Sequence, residues 1–147
     1  MSSLLHRRID MLLARYAESH CNPLNELIHC LCVPAIMFAL LGLIWSAAPV
    51  LSLIVVAASL AYYLWLSPPF ALAVLVLAVA MLLLLWCLPA HMMLPLSLII
   101  FVVAWIGQFV GHKIEGKRPS FFEDLRFLLI GPLFVLSLLF RRLHIRY

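Results

Sequence analysis

The sequence predicts an all-α integral membrane helical bundle of about four transmembrane helices, with an N-terminal amphipathic helix and a C-terminal re-entrant or interfacial segment. Three observations carry that prediction. Hydrophobic residues make up 67% of the 147-residue chain, and the mean hydropathy is +1.16, against roughly 45–50% apolar content in soluble domains. Charged residues are only 11% of the total and gather in residues 6–26, 113–126 and 141–146, leaving nothing charged between Leu27 and Gln108. Prolines then divide the chain, because a fixed φ and a missing N–H favour the ends of spans.

Each element follows from these rules. Residues 4–18 alternate Arg7, Arg8, Asp10, Arg15 and Glu18 with Leu4, Leu5, Ile9, Leu12, Leu13 and Tyr16. That pattern is an amphipathic surface helix, not the unbroken apolar core of a secretory signal. Pro23, Pro49, Pro68-Pro69, Pro89, Pro95 and Pro119 cut out spans near 26–46, 50–66, 70–88 and 93–112, and a last segment over 121–140. The uncharged stretch suffices for four crossings of about 17–25 residues each. Connections of a few residues make successive spans antiparallel, and all of residues 1–147 form one domain. From Phe127 to Phe140 the apolar run is short for a crossing and is interrupted by Gly131-Pro132, which suits a re-entrant or interfacial segment. Ser120 and Glu123 have capping-box spacing and predict the start of the last helix.

Arg7, Arg8, Arg15, Lys113, Lys117, Arg118 and Arg126 fall at one end of such a bundle, whereas the loops near 47–49 and 89–92 carry no Lys or Arg. Basic loops stay in the cytoplasm, so both termini are expected there. The net charge of +4 is spread beside apolar spans rather than interleaved with aromatics, which argues for membrane lipid and against nucleic acid. Cys21, Cys30, Cys32 and Cys87 lack C-x-x-C spacing and read as reduced thiols.

Two polar clusters interrupt this apolar chain. In the first, His20 and His29 would point to opposite faces of an unbroken helix. Asn22-Pro23 permits a bend between them, with Asn22 as N-cap and Pro23 at the first helical position. Asn25 and His29 then share a face, so that the amide can orient the imidazole. In the second, Gln108, His112 and Glu115 follow i, i+4, i+7 spacing, Gly111 allows close backbone approach, and Gly116 ends the helix. His112 and Glu115 are placed to reach one ion, as paired His and carboxylate ligands do in helical-bundle metal sites. Four spans bring both clusters to the same membrane face. The combined imidazole and carboxylate set suits Fe(II) and is acceptable to zinc.

Interfacial histidines more often bond headgroups or cap helices; His6 and His144, among arginines near the termini, read as solvated or lipid-facing, and His91, between Pro89 and Pro95, reads as a loop residue. For His20, His29 and His112 together, the cost of ionisable groups at membrane depth favours function. Lys113, Lys117 and Arg118 are either topology determinants or a dock for the carboxylate of a lipid-like substrate. Gln108 faces the same region.

The run from Tyr16 through His20-Cys21-Asn22-Pro23-Leu24-Asn25 to His29 and Val33-Pro34 resembles a known family. So do Gln108-Phe109-Val110-Gly111-His112 through Glu115-Gly116-Lys117-Arg118-Pro119, and the tail Leu128 to Val135. The family is that of the small multi-pass membrane 2-hydroxy fatty acid dioxygenases, related to the fungal endoplasmic-reticulum protein of phytosphingosine breakdown. The resemblance implies Fe(II)-dependent α-oxidation, in which a 2-hydroxy fatty acid and O2 give an acid one carbon shorter, in an endoplasmic-reticulum or bacterial inner membrane. It makes His20, His29 and His112 the iron ligands, Glu115 a fourth ligand or a base beside the metal, and Asn25 a residue that orients a ligand. Two rival classes stand against it. One is a haem-binding membrane electron carrier using His29 and His112, and the other is a non-enzymatic transport or assembly protein. A zinc hydrolase is weakened by the absence of the H-E-x-x-H pattern.

Overall fold

The computed structural model describes residues 8–116 and 127–147. These form six helices and, among the described residues, no strand: α1 (Arg8–Ala17), α2 (Pro23–Ala47), α3 (Pro49–Leu66), α4 (Pro68–Cys87), α5 (Ala90–Glu115) and α6 (Ile130–Arg142). Helices α2 to α5 are long and apolar enough to cross a membrane. Even α3, with 18 residues, rises about 27 Å. Their outward faces carry large apolar side chains such as Leu31, Val76, Ile99 and Val103, which are mostly exposed. In water such a band would drive aggregation, and in lipid it is solvated. The chain is a multi-pass membrane protein.

Proline placement explains the boundaries. Pro23, Pro49 and Pro68 each stand in the first turn of a helix, where the missing N–H has no intrahelical partner to lose. Pro95, expected to mark a span end, instead lies inside α5, as Pro34 lies inside α2. The carbonyl freed by Pro95 is that of His91, in the first turn of α5 and exposed, where solvent can take the place of the missing donor. Helix α5 therefore runs over Ala90–Glu115, and Gly116 follows it as C-cap with φ +73.

Helices α2 and α5 form the closest antiparallel pair. A Cβ built at Gly42 would collide with Ser97, at Gly107 with Cys32 and at Gly111 with Asn25. Gly107 and Gly111 make a small-xxx-small motif, the device by which membrane helices bring their backbones together. The predicted surface helix, α1, turns Ile9, Leu13 and Tyr16 onto α6, whose Leu133 and Phe134 belong to the same buried cluster. At 13 residues α6 rises only about 20 Å, too short for a crossing. Just before it, Leu129 O accepts a hydrogen bond from Tyr63 Oη at 2.8 Å, and Leu128 and Pro132 line a cavity together with Met37 and Leu40, several turns along α2. At its other end Phe140 stacks on Phe70, at the start of α4. The segment enters and leaves by one end of the bundle, which also holds α1, the start of α2 and the end of α5. Ser120 and Glu123 lie outside the described residues, as do His6, Lys117 and Arg118.

Candidate metal centre

His20 is placed by the turn that follows α1. The His20 N–H bonds Ala17 O at 3.0 Å, its Nδ1 lies 2.8 Å from Tyr16 O, and its ring stacks on Tyr16 with centroids 4.2 Å apart and planes 3° from parallel. The chain then extends through Asn22, whose side chain accepts the Leu24 N–H at 2.9 Å as the N-cap of α2. This bend carries His20 back over His29. On α2, His29 is 1% exposed, and its Nδ1 lies 2.9 Å from Asn25 O. It is the backbone carbonyl of Asn25, not its amide, that orients the ring, because a helical i+4 imidazole reaches the carbonyl one turn back. From α5, His112 completes a trio. Its ring centroid lies 5.5 Å from that of His20 and 5.2 Å from that of His29. One ring nitrogen from each of the three lies within 4.8 Å of the others, and all three residues are buried.

The carbonyl partners decide the protonation pattern. Tyr16 O and Asn25 O are acceptors only, so Nδ1 carries the hydrogen in both His20 and His29. Each neutral ring then presents a lone pair at Nε2, and these two atoms face each other at 2.9 Å. Two lone pairs at that distance repel. A cation between them, a metal ion or a shared proton, reverses the sign of the interaction. Two imidazole nitrogens bonded at about 2.0–2.1 Å to one metal, at right angles, stand about 2.9 Å apart. Histidines that ligate metals almost always donate the remaining N–H to a carbonyl or carboxylate, as both do here. The trio fits a divalent borderline metal such as iron or zinc.

Glu115, placed by spacing on the face of Gln108 and His112, has a different set of partners. Its Oε1 accepts the Cys21 N–H at 2.9 Å, and its Oε2 accepts the Asn22 N–H at 3.0 Å and the Asn25 amide at 2.9 Å. The carboxylate thus clamps the His20 turn to the end of α5. Asn25, fully buried, also reaches Ser19 O through Nδ2 at 3.4 Å. Gln108 is buried one turn inward of His112 and lines a void of about 40 Å³ with Tyr16, Val33, Trp105, Leu128 and Gly131. Its Nε2 makes no hydrogen bond, so a donor is available at the void's wall. Lys113 is exposed at the same end, His91 is exposed at the opposite end, and His144 is exposed with φ 56. All four cysteines are free, and Cys32 packs against Gly107.

Sequence reasoning missed the Tyr16 ring as a platform for His20, although an aromatic four residues before a histidine at a helix end is a readable signal. The Gly107–Gly111 motif was readable too. The Glu115 clamp has no local signature, because its partners lie some ninety residues away in sequence.

Gly111 tests how tightly the trio depends on the α2–α5 contact. A Cβ there displaces Asn25, and overpacking of this kind costs about 1–3 kcal/mol. Gly111→Ala is expected to lower the thermal midpoint and weaken metal retention together, read by a melt and by metal analysis. An unaltered midpoint would mean that the helices separate freely.

Neither a curated protein nor a solved structure matches the chain. A family does, over residues 6–143, a range that includes all three histidines, Asn25, Gln108 and Glu115. The chain belongs to the family described as 2-hydroxy-palmitic acid dioxygenase Mpo1-like.

Proposed function

We propose that this protein is an Fe(II)-dependent dioxygenase that converts a 2-hydroxy fatty acid and O2 into the fatty acid one carbon shorter, at the membrane interface. The observation that carries the reading is the convergence of His20 and His29 lone pairs beside His112 at one end of a lipid-solvated bundle, in a family described by a 2-hydroxy-palmitic acid dioxygenase. Atoms and electrons balance with carbon dioxide and water as co-products, so no external reductant is needed. Bound iron would supply O2 activation and chelation of the hydroxy acid.

The chain's own residues do the rest. His20, His29 and His112 hold the metal, with tautomers set by Tyr16 O and Asn25 O. The Gln108 amide donates to a carboxylate or hydroxyl oxygen of the substrate. Lys113, with Lys117 and Arg118, draws the anionic headgroup to this end of the bundle. Glu115 and Asn25 hold the His20 turn in register. The apolar tail partitions inward, and the reacting carbon stays at the depth of the trio. Arg8, Arg15, Lys113, Arg141, Arg142 and Arg146 belong to elements at the same end, and the loops at the opposite end carry no Lys or Arg. By the positive-inside rule this end and both termini face the cytoplasm, of a bacterial inner membrane or the endoplasmic reticulum.

The decisive experiment is anaerobic purification and metal analysis, followed by 2-hydroxypalmitate with O2 and Fe(II). The odd-chain acid should appear and should be lost in His112→Ala. Product that persists in the His20, His29 and His112 alanine variants alike refutes the assignment. Gln108→Leu should keep its iron while kcat/KM falls about 10–100-fold, the loss expected when a hydrogen bond to a charged group is removed. Iron loss in that variant would show that Gln108 supports the metal rather than the substrate.

A further inference from the structure

We infer that the acyl tail of the substrate runs into the apolar cavity between α2, α3, α4 and the re-entrant turn, and that Ser59 and Ala78 set the chain length accepted. The inference rests on the activity proposed above and specifies how its substrate is measured. The cavity has a volume of about 280 Å³, at the lower edge of the range for small-molecule sites. Met37 and Leu128 line both this cavity and the small void beside Gln108. The two spaces therefore adjoin at these two side chains, at the level of Gln108 one turn inward of His112. Along α2 the larger one reaches Ile44. From Val33, at the trio's end, to Ile44 the helix rises about 16 Å, close to the reach of one leaflet of a hydrocarbon core about 30 Å thick.

The walls match one occupant. Apart from Ser59 and the Tyr63 hydroxyl, the lining side chains are hydrocarbon or thioether, with Val55, Val56 and Val74 among them. Tyr63 donates to Leu129 O, which holds the re-entrant turn in place as one wall. This gives the turn a purpose: it covers a slot that an open four-helix bundle would leave to lipid. Val55 and Leu129 of its wall are exposed, so the slot opens toward lipid on one side, and an alkyl chain lying in it gives the lining the dispersion contacts it otherwise lacks. A single flexible alkyl chain, anchored by its polar head at the trio, meets the shape and the polarity. Ala78 and Ser59 are the smallest side chains on the α4 and α3 walls, so enlarging either narrows the slot beyond it.

Full-length protein in lipid nanodiscs, with and without iron, is photolabelled with a 2-hydroxy fatty acid carrying a diazirine at its terminal carbon. Adducts are expected on Ile44, Val55, Ser59 or Ala78, and unlabelled 2-hydroxy acid should compete them away. Adducts confined to outward-facing Leu53 or Val76, or removed by excess phospholipid but not by the hydroxy acid, overturn the inference. In parallel, wild type, Ser59→Leu and Ala78→Leu are assayed on hydroxy acids of graded length. Both variants should lose about tenfold or more on the longest acids relative to the shortest, as pockets filled by a few methylenes do. Turnover with the wild-type length profile in both variants overturns the inference and leaves the activity standing. Adducts in the cavity without turnover by any protein support the tail site and refute the activity.

Discussion

Replacing His29 with leucine should abolish metal retention and, with it, turnover, while leaving the metal-free protein as stable as metal-free wild type or more so. The first half follows from removing one of three converging nitrogens. The second follows from the facing lone pairs of His20 and His29, held at 2.9 Å by carbonyls that fix both tautomers. Leucine fills comparable volume and brings no lone pair to face His20 Nε2, so the metal-free variant is relieved of that repulsion. Adding Fe(II) should reverse the order. A ligand at 100 times its Kd stabilises the native state by about 2.7 kcal/mol, which wild type gains and the variant does not. Thermal melts of both proteins, with and without metal, read this directly. A variant destabilised equally in both conditions would make His29 an ordinary core residue. Double variants among the three histidines should lose no more metal than single ones, because ligands of one ion act as a unit.

Much of this site was legible before any coordinates, for identifiable reasons. Hydropathy and proline spacing set the four spans, because lipid forces every backbone group into a helix and helix ends have few chemical solutions. The bend at Asn22-Pro23 was readable because N-capping is local, and the meeting of His20 and His29 depends on that bend. The meeting with His112 needed only an even number of crossings. What could not be read was anything decided by side chains approaching from distant segments. Spacing put Glu115 on the face of His112, and its actual partners are the Cys21 and Asn22 amides and the Asn25 side chain. Asn25 was expected to act through its amide, and its carbonyl orients His29 instead. Pro95 reads as a boundary by the rule that places proline at helix ends, yet it stands in the second turn of α5, where the carbonyl it frees, that of His91, is in the exposed first turn. The packing of α1 on α6 joins two segments at opposite ends of the sequence, and no pattern within either one announces it.

Glu115 decides whether the second cluster binds the metal or positions what binds it, and the two roles predict different losses. Each carboxylate oxygen already accepts a backbone N–H of the His20 turn, and Oε2 takes the Asn25 amide besides. In Glu115→Ala these donors lose their acceptor, the turn at residues 20–22 detaches from the end of α5, and His20 no longer sits over His29 and His112. Metal affinity should fall about 10–100-fold, the usual effect of removing a group that orients a ligand. Amide exchange at Cys21 and Asn22 should accelerate, because local opening now costs less. Glu115→Gln should rescue little, since its NH2 group would face an N–H donor where an oxygen now accepts. Asn25→Asp should resemble Glu115→Ala, because it sets one carboxylate against another across the contact that now holds the turn. A base in the reaction would behave otherwise. Its removal would lower kcat, leave iron content at the wild-type level and leave exchange at Cys21 and Asn22 unchanged, and that combination would place Glu115 in the chemistry rather than beneath it.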